Sequence, residues 1–172
     1  FVESTGVGYG AALAARTLRP TGLSALRAAV ADRVPDAREF CVPSLDHDPD
    51  SAHELPEGLT LEEKTAYAAT AFELMGIESF ARVVVFAGHA SQTTNNPFDA
   101  SLDCGACAGN PGGPSARVLA AICNDDAVRT RLRERGIDVP DDTHFVAGEH
   151  NTTTDEVELY TPTPLASHEP DI

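Results

Sequence analysis

The run RVVVFA, residues 82–87, constrains the fold more than any other stretch of this chain. Three successive valines and a phenylalanine, with no polar alternation, suit a strand covered on both faces. Such strands belong to sheets flanked by helices, and the neighbouring sequence agrees. Upstream, TLEE reads as a capping box, with Thr60 as N-cap and Glu63 placed to reach back to the Thr60 amide. The face Lys64, Tyr67, Ala68, Ala71, Phe72, Met75 is mostly apolar, and Gly76 supplies the stop. Downstream lies a long polar segment rich in glycine, and then Pro114, which a first helical turn tolerates, leads into SARVLAAI. NDDAVRTRLRERG predicts a further helix, acidic at its start, basic at its end and stopped by Gly136. THFVAG and VELYT read as short strands, the second alternating Val157, Leu159 and Thr161 against Glu158 and Tyr160. The pattern predicts an α/β fold, a layered sheet with flanking helices. Ligands of open sheets gather beyond the carboxyl ends of the strands. His89 stands just past the end of RVVVFA, expected to be a central strand, so the loop 88–114 occupies the place where a site is expected.

The remaining segments are less informative. Residues 2–18 read as a loosely apolar helix weakened by three glycines. In GLSALRAAVADRV, Leu23, Leu26, Val30 and Val34 form a helical stripe that ends before Pro35. Residues 43–58, with their prolines and acids, predict a surface loop, and its His47 and His53 read as solvated rather than metal-binding. Residues 162–172 predict an extended tail. At 172 residues the whole is expected to be a single domain. The opening FVESTG lacks a methionine, and the chain is expected to be a fragment of a longer protein.

Charge narrows the function. Twenty-seven acidic residues face twelve basic ones, for a net charge of -15, and Lys64 is the single lysine. Such a surface repels phosphate backbones and anionic lipids, which disfavours nucleic acid and direct membrane-surface binding, and with no apolar run near 18 residues direct membrane insertion is not expected. An acidic, lysine-poor composition suits a halophilic protein whose self-repulsion is screened by salt. Four cysteines are too sparse for a secreted disulfide framework, and a reducing, cytoplasmic setting is expected.

Three chemistries compete for the loop. His89 and Cys104 offer the nitrogen and sulfur that zinc prefers, but their fifteen-residue separation equally fits a hydrogen-bonded histidine and a small packed cysteine. CGAC, from Cys104 to Cys107, is a C-x-x-C, yet the glycines and prolines that follow forbid a helix at Cys107, against a thioredoxin-like reading. GNPGGPSAR runs into a helix start, where free amides, with Arg117 nearby, can hold a small anion; an ordinary glycine turn explains it as well.

The order of NNP, CGAC, GGPSAR and HNTTTD, with FVESTGVGYG and GLTLEEK upstream, closely resembles DabA-type inorganic carbon transporter subunits over nearly the whole chain. The resemblance implies a partial domain of β-carbonic-anhydrase-like, Rossmann-like fold. It implies a Zn2+ held by two cysteines, a histidine and an aspartate, and an antiporter-like integral membrane partner with which the subunit takes up CO2 or bicarbonate using a cation gradient. The protein would then sit in the cytoplasm, peripheral to the membrane through that partner. Two ligands carry over, His89 and Cys104. The family's Cys-x-Asp-x-Arg segment has no match here, since Cys41 is followed by Val-Pro-Ser; the catalytic Asp–Arg pair is therefore expected upstream, and the fragment itself to be inactive. Asn95, Asn96, Gly112 and Gly113 are candidates for orienting the loop or an anion. Cys107, Asp103 and His150 are next in line should the ligand set differ. Two other readings stay open: a non-catalytic interaction module that docks on the membrane partner, and a thiol hydrolase with Cys104 as nucleophile and His89 as base.

Overall fold

The computed structural model describes residues 2–31, 44–50, 57–93, 96, 98–160 and 166–171. These fall into two compact units, the first within Phe1–Val42 and Thr93–Asp99, the second within Pro43–Gln92 and Ala100–Ile172.

The first unit carries helices α1 (Val2–Leu18) and α2 (Pro20–Ala31). Both match the expected helical segments, but their apolar residues are displayed: Val7, Leu13, Leu26 and Val30 are all exposed. Val34 and Pro35 lie outside the described residues.

The second unit begins with α3 (Leu61–Met75). Its capping box forms as the sequence predicts. The Glu63 amide donates to Thr60 Oγ1 at 3.2 Å, and the Thr60 amide donates to Glu63 Oε2 at 2.9 Å. The Thr60 hydroxyl, then its amide, holds the Glu63 carboxyl below its ordinary pKa. Gly76 ends the helix in the left-handed region at φ 66°. There follow β1 (Val83–Ala90), α4 (Gly113–Asn124), α5 (Asp126–Glu134), β2 (His144–Asn151) and β3 (Glu156–Leu159). β1 pairs with β2 in parallel, from Val83 opposite His144 to Ala90 opposite Asn151; β3 returns antiparallel on the far side of β2. The strand–helices–strand crossover is the unit that a parallel pair requires.

One sheet face is the core face. Phe86 stacks on Phe145 at 5.4 Å between centroids, and Phe72 of α3 meets Phe145 and Phe80. Ala116, Ala120, Ile122 and Cys123 of α4 and Val128 and Leu132 of α5 complete it. Arg129 is buried here as well. Its Nε donates to the Cys123 carbonyl at 2.8 Å and its Nη2 to the Thr143 carbonyl at 2.7 Å, while the guanidinium lies over the Phe145 ring. Burial, with the nearby charges of His168 and Arg129 as lesser causes, lowers the pKa of His144 at the start of β2.

Two expectations are corrected. Among the described residues β1 is the outermost strand and β2 the central one, and Val85 on β1 is 43% exposed. An unalternating apolar run specifies a strand with apolar residues on both faces; it does not count the strand's neighbours. The tail is not extended where it is described. Ala166–Asp171 forms a 3-10 turn that seats His168 against the body: its Nε2–H donates to the Asp142 carbonyl at 2.6 Å, and Arg82 Nη2 donates to the Ser167 carbonyl at 3.1 Å. In the segment read as a surface loop, His47 is exposed and lies 3.2 Å from the Glu57 carbonyl through Nδ1, and His53 lies outside the described residues.

Candidate functional site

The carboxyl end of β1 meets the start of α4 backbone to backbone. The Gly112 amide donates to the His89 carbonyl at 2.7 Å. A Cβ on Gly88 would fall onto the Gly112 carbonyl group, and one on Gly112 would come within 2.8 Å of the His89 nitrogen. Both glycines are therefore required by close approach.

That approach fixes His89, whose ring is held at both nitrogens. Nε2 lies 2.8 Å from the Leu102 carbonyl. A carbonyl can only accept, so Nε2 carries the proton and donates. Nδ1 then accepts from the Thr152 hydroxyl at 2.6 Å. Leu102 is thirteen residues beyond His89 and two before Cys104, so the loop does fold back onto the strand end. A second clasp secures the return: Asp103 Oδ1 accepts from the Ser91 amide at 2.7 Å and from the Ser91 hydroxyl at 2.8 Å.

Cys104 then opens a tight turn. It caps the 3-10 turn Gly105–Cys107, and its carbonyl accepts from the amides of Cys107 at 3.0 Å and Gly109 at 3.1 Å. Its own amide donates to the Asn110 carbonyl at 3.2 Å, while Ala108 and Gly109 take positive φ to close the loop. A hydrogen bond from the Cys107 side chain, followed by that from the Cys107 amide, holds the Cys104 thiol below its ordinary pKa; desolvation and the neighbouring Asp103 charge oppose this, and the Ala106 amide assists. Cys123 is the opposite case, a buried thiol that desolvation pushes up to about 12.

The other candidates fall into distinct places. His150 is paired in register with His89, so the two share a sheet face. Its Nε2 contacts Asp155 Oδ1 at 2.9 Å, on a residue that is 94% exposed. Gly112 and Gly113 are buried at the start of α4. A Cβ on Gly113 would strike the Tyr160 hydroxyl and the Glu149 carboxylate. The first turn of α4 thus already faces an acidic side chain, which disfavours a second anion there. Arg117, read as a charge for that anion, lies over the Tyr160 ring at 5.6 Å instead. Asn96 belongs to the first unit, where its Oδ1 accepts from the Phe98 amide at 2.9 Å. Asn95 and Cys41 lie outside the described residues. Among the described residues, no group of three or more His, Cys, Asp or Glu side chains is placed to hold a metal ion.

Sequence reasoning missed Thr152, Leu102 and the Ser91–Asp103 clasp. Thr152 lies within the quoted HNTTTD, where attention fell on His150. The parallel register carries residue 152 past the end of β2 to within hydrogen-bond reach of His89 Nδ1, and its amide donates to the Ala90 carbonyl at 2.9 Å.

Comparison with known proteins completes the picture. The family described as "Probable inorganic carbon transporter subunit DabA" matches residues 1–172. Proteins of that name from Haloarcula marismortui and Natronomonas pharaonis are 62% and 58% identical over all of this chain, which covers 22% and 20% of their lengths. That of Salinibacter ruber is 61% identical over 93% of this chain and 20% of its own. The chain thus spans about a fifth of the length of these relatives. No solved structure matches it.

Proposed function

Because the chain belongs to the DabA family of inorganic carbon transporter subunits, we propose that it forms part of a zinc-holding, carbonic-anhydrase-like region in such a subunit, with His89 and Cys104 as two of the ligands. One observation carries this reading: the loop returns to the strand end, where Asp103, next to Cys104, accepts from the Ser91 amide and hydroxyl, two residues after His89. Imidazole nitrogen and thiolate sulfur are the donors zinc favours, and the hydrogen bonds to the Cys104 sulfur favour its thiolate. The remaining two ligands, a cysteine and an aspartate, are proposed to come from chain beyond these 172 residues.

Each residue then has a definite task. Holding a metal through Nε2 would require His89 to release Leu102 and carry its proton on Nδ1 instead; Nδ1–H would then donate to Thr152 Oγ1, which would orient the ring as an outer-shell partner does. Gly88 and Gly112 keep the strand end and the helix start close enough to fix the His89 backbone. The Ser91–Asp103 clasp holds the returning loop. When bound, zinc supplies Lewis acidity that makes water nucleophilic near neutral pH, the chemistry CO2 hydration needs. The whole subunit would work with an antiporter-like membrane partner driven by a cation gradient. No helix among the described residues is long and apolar enough to cross a membrane.

In the intact subunit, His89→Ala or Cys104→Ala should remove zinc and carbon uptake together, and Thr152→Val should lower zinc affinity by about 10-fold or more. Metal content by elemental analysis beside labelled bicarbonate uptake reads both. Undiminished uptake without zinc, or full zinc in either alanine variant, ends the reading.

A second reading, an interaction module docking on that membrane partner, draws on an open apolar groove of about 600 Å³ between α3 and α4, lined by Tyr67, Leu74, Val118 and Leu119. The thiol hydrolase is less well supported, because the hydrogen bonds of His89 go to Leu102 and Thr152 rather than to Cys104.

A further inference from the structure

The geometry points to a thiol-oxidation site in the turn that begins at Cys104: Cys104 and Cys107 form a reversible disulfide. The Cys107 amide donates to the Cys104 carbonyl at 3.0 Å, the bond that closes a four-residue turn. Such a turn keeps its end Cα atoms within about 7 Å, and disulfides span about 4.4–6.8 Å between Cα atoms. Cys107 Sγ lies 3.6 Å from Ser115 Oγ, at the start of α4. Both residues are partly exposed, whereas Cys123 is buried and packed in the core. The turn is also braced from behind. Asn110 donates to the Cys107 carbonyl through its amide at 3.2 Å and its side chain at 2.8 Å, and the Gly109 amide holds the Cys104 carbonyl. Little further ordering is needed to join the sulfurs.

The oxidant is a low-molecular-weight disulfide such as glutathione disulfide. The Cys104 thiolate attacks one of its sulfurs and expels one thiolate, leaving a mixed disulfide on Cys104. The Cys107 sulfur then attacks Cys104 Sγ, the Cys104–glutathione bond breaks, and a second glutathione leaves. Two protein thiols lose two electrons and two protons, and the reagent gains both pairs to become two thiols. Where Cys104 is a zinc ligand, a consequence that rests on the function proposed above, the same sulfur cannot serve both bonds, so oxidation and metal exclude each other.

The test uses the intact subunit, incubated with glutathione disulfide, alkylated and cut with trypsin. Residues 83–117 lie between Arg82 and Arg117 with no internal Arg or Lys, so both thiols travel on one peptide. The expected result is that this peptide loses two hydrogens and takes up no alkyl group, that dithiothreitol restores both thiols, and that Cys107→Ser instead retains one glutathione. Overturning results are a lasting glutathione adduct on the wild-type peptide, or two free thiols under conditions that oxidise a model dithiol. A parallel arm adds stoichiometric zinc. Oxidation slowed at least several-fold there supports the competition for Cys104. Oxidation at an unchanged rate leaves the disulfide standing and removes Cys104 from the ligand set.

Discussion

At the scale of single residues, the two best-placed thiols respond to their surroundings in opposite directions. Cys104 is drawn toward the thiolate by the hydrogen bonds of its turn, and Cys123 is pushed away from it by the α4–α5 core. The second effect predicts a pH dependence. A Cys123 pKa of about 12 in the fold stands above the value of roughly 8.5 expected in the unfolded chain. The unfolded state therefore sheds this proton first, and the contribution is complete below the unfolded value and is lost as pH rises from there toward 12. Urea midpoints measured from pH 8 to 10.5 should fall, and less steeply in Cys123→Ala. How far such residues could be read in advance depended on where their partners lie. His89 was legible because strand ends collect ligands, although β1 runs past Gly88 to Ala90 and holds His89 among its last paired residues rather than beyond them. Its actual partners were not, since one is a backbone carbonyl and the other a threonine delivered by strand register. The anion reading of Gly112 and Gly113 missed Glu149 for the same reason, because nothing local says that β2 will place a carboxylate there.

At the scale of elements, local chemistry was a good guide wherever the element specifies itself. The Thr60–Glu63 box and the Gly76 stop are contained within a few residues, and the structure forms both. Thr60→Ala should cost about 1 kcal/mol of stability and fray the first turn of α3, measurable by denaturant unfolding and amide exchange at Glu62 and Glu63. Elements placed by distant contacts were read less well. β1 carries the composition of an interior strand but is flanked on one side only among the described residues. The 3-10 turn at 166–171 depends on the Asp142 carbonyl, twenty-six residues away from His168, and no periodicity announces such a contact.

At the scale of the whole molecule, the α/β class followed from the alternation of element types, and the three-stranded sheet with helices on its core face agrees with it. The division of the described residues into two units was not foreseen. It assigns Asn96 to one unit and Cys104 to the other. The net charge of -15 is a property at this scale as well. Self-repulsion of that size should make the fold depend on screening, and the melting temperature should climb as KCl is raised from millimolar to molar. A flat thermal profile across that range would remove the halophilic reading of the composition.

The hydrogen bonds of His89 reach three stretches of chain: residue 112 through its carbonyl, residue 102 through one ring nitrogen and residue 152 through the other. Whatever draws the imidazole toward a new partner must slacken its grip on the stretch at 102 while tightening or reversing the bond at 152. A chemical event at this ring is therefore also a mechanical one, passed directly to the segments that border the strand end.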